Sequence, residues 1–146
     1  MIGIHGALWS AVTAAALFAA AAFEAPAAAP APAPPAKTVD VQMLGDASGY
    51  RYAPATVTIQ RGDKVRFTLV SGPPHNVVFW ADSIPKGAAA PLAKGMPQTV
   101  DKLTSPYYVK TGDTYVVSFD GVPAGTYKYY CTPHLALGMK GTIVVK

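Results

Sequence analysis

Val65-Arg66-Phe67-Thr68-Leu69 alternates apolar and polar side chains one by one. Successive side chains of a β-strand point to opposite faces, so Val65, Phe67 and Leu69 face a core while Arg66 and Thr68 face water. A sheet with one buried face is half of a sandwich, not the doubly covered sheet of an α/β protein. Just before this stretch, Arg61-Gly62-Asp63 carries turn residues, and Val122-Pro123-Ala124-Gly125 forms a second clear turn. Segments rich in β-branched and aromatic residues predict strands near 38–44, 55–60, 65–71, 76–80, 114–119, 125–130 and 141–146. The fold class is therefore all-β, a sandwich of about seven to eight strands. Residues 81–110 break the rhythm with Pro85, Pro91, Pro97, Pro106 and the run Ala88-Ala89-Ala90. They predict one long crossover with a short helical turn, since a structureless loop of that length is unusual.

The N-terminal quarter of the 146-residue chain has a different composition. Residues 7–23 are an uncharged apolar run ending in small residues, which reads as a secretory signal or, if uncleaved, an N-terminal anchor, over 1–24. Residues 25–37 are almost pure Ala and Pro; they build no core and behave as a semi-rigid spacer. The folding unit is then 38–146, enough for a single core. An export signal places it in a periplasm or on the extracytoplasmic side of a membrane, with a membrane tether if the segment stays attached. All twelve Lys and Arg and seven of the eight acidic residues lie beyond position 36, leaving a charge of +5 there. These basic residues are spread singly, without a run or an arginine-rich helix, which argues against nucleic-acid binding. The mild positive balance favours anionic partners or surfaces without naming one.

Chemistry concentrates near the C-terminus, in Tyr129-Tyr130-Cys131-Thr132-Pro133-His134-Leu135-Ala136-Leu137-Gly138-Met139. A strand ending at Cys131, followed by a loop that folds back on itself, brings a thiol, an imidazole and a thioether towards one point. Pro133 and Gly138 help such a loop to turn. The fourth candidate ligand, His75, follows Gly72-Pro73-Pro74, 56 residues before Cys131. One thiolate, two imidazoles and a weak thioether form the His₂Cys set with a long axial Met that suits a blue, type 1 copper ion. Structural zinc favours four strong ligands and catalytic zinc keeps an open position, so copper is preferred over zinc. Taken singly, each residue has a bland reading: a satisfied histidine, a packed methionine, a small buried cysteine. Jointly they do not, because beyond position 24 the chain holds only two His and one Cys, all in this set. Met43 and Met96 have no ligand neighbours and are read as packing residues.

The run 125–134, Gly-Thr-Tyr-Lys-Tyr-Tyr-Cys-Thr-Pro-His, with Gly138-Met139-Lys140-Gly141-Thr142-Ile143-Val144-Val145 after it, resembles the C-terminal signature of plastocyanin- and pseudoazurin-type cupredoxins. Pro73-Pro74-His75-Asn76-Val77, Tyr52-Ala53-Pro54 and Gly62-Asp63-Lys64-Val65 extend the likeness over essentially 38–146. The resemblance implies a Greek-key β-sandwich with one type 1 copper at one end. It also implies that Asn76 ties the two ligand loops together near Thr132, while its amide donates to the Cys131 sulfur. The acidic docking patch of plant plastocyanins has no counterpart in this basic domain.

The expected function is a single-electron carrier between redox proteins: a cytochrome, an oxidase, a reductase or a photosystem. The alternatives are a periplasmic copper carrier or chaperone, and a redox-silent binding domain. A chaperone favours Met-rich or Cys-x-x-Cys sites, and a silent domain would lack a ligand. No His-x-His pair or second metal cluster is present, which argues against a multicopper enzyme. Pro73, Pro74, Pro133, Leu135 and Leu137 form a candidate apolar docking patch around the His134 loop. The domain is expected to be monomeric.

Overall fold

A computed structural model describes residues 35–146 and the isolated Gly3. The expected signal segment and most of the Ala/Pro spacer lie outside the described residues. Eight strands run in the order β1 (Thr38–Asp46), β2 (Gly49–Ala53), β3 (Thr56–Ile59), β4 (Lys64–Leu69), β5 (Val78–Phe79), β6 (Thr114–Ser118), β7 (Gly125–Tyr130) and β8 (Lys140–Val145). One helix, α1 (Ala89–Gly95), lies in the crossover. Among the described residues no helix is long and apolar enough to cross a membrane.

The strands form two four-stranded sheets, ordered β2-β1-β4-β6 and β3-β8-β7-β5. The pairs β1–β4 and β3–β8 are parallel, and the rest are antiparallel. Alternation dictates what faces inward. In the first sheet Val41, Met43, Val65, Phe67, Leu69, Tyr115 and Val117 are buried. The second contributes Val57, Ile59, Tyr127, Tyr129, Ile143 and Val145 to the same core. Edge-to-face contacts join Tyr52, Phe67 and Tyr129 at its centre, the arrangement aromatic quadrupoles prefer.

Two elements differ from the sequence reading. β2 was not expected as a strand, yet Gly49–Ala53 pairs with β1 across a two-residue turn. The strand expected at 76–80 shrinks to Val78–Phe79, because the chain before it bonds elsewhere. His75 pairs with Tyr108, Ser105 N–H donates to Val77 and Phe79 N–H to Leu103. The proline-rich crossover thus supplies an irregular edge to β5. Met43 and Met96 are buried in the core, as packing residues should be.

Candidate metal centre

Cys131 follows directly on β7, and the loop after it closes on itself. Cys131 N–H donates to the Met139 carbonyl (3.1 Å), and Met139 N–H donates to that of His134 (3.1 Å). A single 3₁₀ turn, Leu135–Leu137, shapes the middle. Gly138 ends it at φ +86°, a left-handed conformation that a residue with a side chain adopts only under strain. Cys131 and Met139 therefore stand side by side at the loop mouth, and both are fully buried.

His75 arrives from the other end of the sequence. Its backbone exchanges two hydrogen bonds with Tyr108, at 3.0 and 2.8 Å. Its Nε2 lies 2.8 Å from the Ser71 carbonyl, which can only accept. That bond fixes the tautomer with hydrogen on Nε2 and leaves the Nδ1 lone pair bare. His75 Nδ1 is 3.6 Å and His134 Nδ1 3.5 Å from Cys131 Sγ. All three donor atoms lie within 4.8 Å of one another. His75 is fully buried and His134 is 7% exposed, so the His134 ring is the one nearest solvent.

Burial lowers the affinity of both imidazoles for a proton; the Ser71 bond opposes this at His75, and the neighbouring His75 reinforces it at His134. Both rings are thus neutral near pH 7. Burial also pushes the Cys131 thiol up, and the amides of Asn76 and His134, which donate towards the sulfur, partly offset it. These amides suit a sulfur that carries negative charge. One thiol and two neutral imidazoles aimed at one dry point match the donor set of type 1 copper, so the residues present fit that ion.

Asn76 bridges the ligand loops. Its Oδ1 accepts Thr132 N–H at 2.8 Å and its Nδ2 donates to Thr132 Oγ1 at 3.2 Å. Its carbonyl accepts the buried Tyr52 hydroxyl at 2.6 Å. At the surface, Pro73, Pro74, Pro133 and Leu137 are exposed, while Leu135 is half-buried. Two contributors were absent from the sequence reading. Ser71 was missed because it acts through its backbone, which no side-chain pattern reveals. Tyr50, whose ring stacks on His134 at a centroid distance of 3.7 Å, was missed along with its strand.

The similarities to known proteins point the same way. The model of copper binding proteins of the plastocyanin/azurin family matches residues 39–146. Plastocyanin from a Synechococcus strain is 41% identical over 110 residues, covering 75% of this chain and 74% of that protein. Plastocyanin A/B of Petroselinum crispum is 36% identical over 107 residues, covering 73% and 98%. Among solved structures, oxidised plastocyanin from Dryopteris crassirhizoma superposes with a TM-score of 0.56 at 33% identity, covering 74% of this chain and all of that one. Two four-stranded sheets, three converging donors and a match across the whole sandwich agree: the chain belongs to the plastocyanin/azurin family of copper-binding proteins, electron carriers and not enzymes.

Proposed function

We propose that His75, Cys131, His134 and Met139 hold one copper ion as a type 1 centre, and that single electrons enter and leave by the His134 side. The observation that carries this is the convergence of His75 Nδ1, Cys131 Sγ and His134 Nδ1 within 4.8 Å in a buried site. A copper ion held there would supply one-electron Cu(I)/Cu(II) chemistry. The chain's own contacts hold these side chains in place without a metal. Ser71 fixes one ring, the Asn76–Thr132 bridge ties one ligand loop to the other, and the closed 131–139 loop holds Cys131 beside Met139.

His134 is the natural port, since it is the least buried of the four. Pro133 and Leu135 flank it in sequence, and Leu137 is 61% exposed. With Pro73 and Pro74 they form the apolar surface on which a donor or acceptor redox protein docks. The segment 1–24 serves as an export signal or anchor and 25–37 as a spacer, so the 38–146 domain works as a monomer in a periplasm or on an extracytoplasmic membrane face.

The test is addition of Cu(II) to the purified chain, followed by visible and EPR spectra. An intense blue thiolate-to-copper band that reductant bleaches reversibly is the expected result. A colourless or irreversibly oxidised protein would refute the carrier reading. Cys131→Ser should abolish the colour, whereas Met139→Leu should keep it and shift the potential, because a thioether would hold copper only weakly.

A further inference from the structure

We infer that Tyr50 is a positioning residue that clamps the His134 ring, and that Gly45 and Gly72 are side-chain-free to make room for the clamp. Tyr50 sits on the same face of β2 as the core residue Tyr52, one step nearer the metal end. Its ring lies on the His134 imidazole with an interplanar angle of 12°, and meets His75 edge-on at 6.2 Å. One side chain of the first sheet therefore touches both imidazoles.

The β1–β2 hairpin is shaped around this contact. Gly45 is the register partner of Tyr50. A Cβ at Gly45 would stand 2.5 Å from Tyr50 Cε1 and 2.9 Å from Gly72 Cα. A Cβ at Gly72, whose φ is +70°, would stand 2.5 Å from Gly45 Cα. The two bare backbones pack directly, and Gly45 N–H donates to Ser71 Oγ at 3.2 Å. Ser71 in turn holds His75 through its carbonyl. The hairpin thereby grips the His75 loop through backbone and the His134 loop through the Tyr50 ring. Among the described residues, the other contacts on the His134 ring are the Cys131 sulfur and the His75 edge.

The inference rests on reading His134 as a ligand only for its consequence, copper retention; the clamp itself can be seen in the metal-free protein. The experiment compares the full chain with Tyr50→Phe, Tyr50→Leu and Gly45→Ala. One readout is the His134 ring resonances of the metal-free protein at about pH 8, above the ordinary histidine range. The other is the rate of copper loss to a chelator. Parent and Tyr50→Phe should give one sharp set of ring signals and matching release rates. Tyr50→Leu, which keeps apolar bulk but not the stack, should broaden or double those signals and speed release roughly 3- to 10-fold, the worth of an aromatic pair. Gly45→Ala should do the same with Tyr50 still present, because its methyl displaces the ring. Parent-like behaviour of Tyr50→Leu in both readouts overturns the clamp. So does Tyr50→Phe behaving like Tyr50→Leu, which would assign the effect to the hydroxyl. Because the resonances are recorded without metal or partner, they separate failure of the clamp from failure of the carrier reading.

Discussion

Asn76 shows at the scale of a single residue how the metal site is held before any metal arrives. It forms two side-chain bonds to Thr132 across a sequence gap of 56 residues, and its carbonyl takes the Tyr52 hydroxyl from the core. Asn76→Ala removes both side-chain bonds at once. It should lower the stability of the metal-free protein by about 1–3 kcal/mol, a typical figure for two bonds of this kind. Thr132→Ala keeps the amide bond to Asn76 Oδ1 and should cost less than half as much. Urea unfolding of the metal-free variants checks both, and equal losses would show that the Oγ1 contact carries the bridge. The four candidate ligands stood out in the sequence because the lone Cys, two His and a Met fall at telling spacings, whereas Asn76 was indicated only by the resemblance to cupredoxins. Tyr50 and Ser71 were not. A tyrosine among eight carries no such signal, and a carbonyl that orients a ring belongs to any residue that happens to stand there.

At the scale of elements, what the sequence revealed depended on how much of a strand's information is local. β4, β6, β7 and β8 alternate cleanly and were read close to their bounds. β2 is five residues between a glycine turn and Pro54, too short for periodicity to separate it from a loop. β5 lost its first residues to the crossover, a partner chosen by tertiary packing and masked by prolines. Two elements support predictions. Gly141 on β8 faces the core beneath Tyr129, where a Cβ would stand 2.2 Å from Cζ. Gly141→Ala must push that ring into its aromatic neighbours and should destabilise by about 1–3 kcal/mol in thermal or denaturant unfolding. Asp63 closes the turn before β4: its carboxylate accepts the amides of Lys37 and Gln60, each at 2.8 Å. Those amides hold its carboxyl below the usual 3.8, Lys37's the more strongly. A carboxyl with a depressed folded-state pKa stabilises above its unfolded value and loses that contribution as pH falls through the folded one. Asp63→Asn should therefore be less stable than the parent at pH 7 by about 1 kcal/mol, with the gap narrowing below about pH 4. A gap that stayed constant down to about pH 2 would mean that the charge is irrelevant to the turn.

The whole molecule combines a buried one-electron site, an apolar rim and a positive domain, and these act at different ranges. Charge acts first: a domain of +5 attracts anionic partners over roughly a Debye length, about 10 Å at 0.1 M salt. Two of its arginines are engaged locally, Arg51 with Asp46 and Arg66 with Asp40. Those pairs are exposed and cancel within themselves, so steering would fall to the scattered lysines and Arg61. On the docking surface proposed above, contact would come second, at the rim of Pro73, Pro74, Pro133 and Leu137, where apolar surface would bring a partner's cofactor close to His134. Leu137 is the residue on which to test this, being exposed where Leu135 is half-buried and also supports the loop. Leu137→Asp should leave the blue spectrum and the unfolding transition unchanged. It should lower second-order electron-transfer rates by roughly tenfold, about the worth of one well-buried contact. One added negative charge also weakens steering to an anionic partner, so Leu137→Asn serves as the uncharged control. Raising ionic strength separates the two contributions, since it screens the charge effect and leaves the contact effect in place. If Leu137→Asn matched the parent and the Leu137→Asp deficit vanished at high salt, the rim would be only a bearer of charge, and docking would have to be sought on another face.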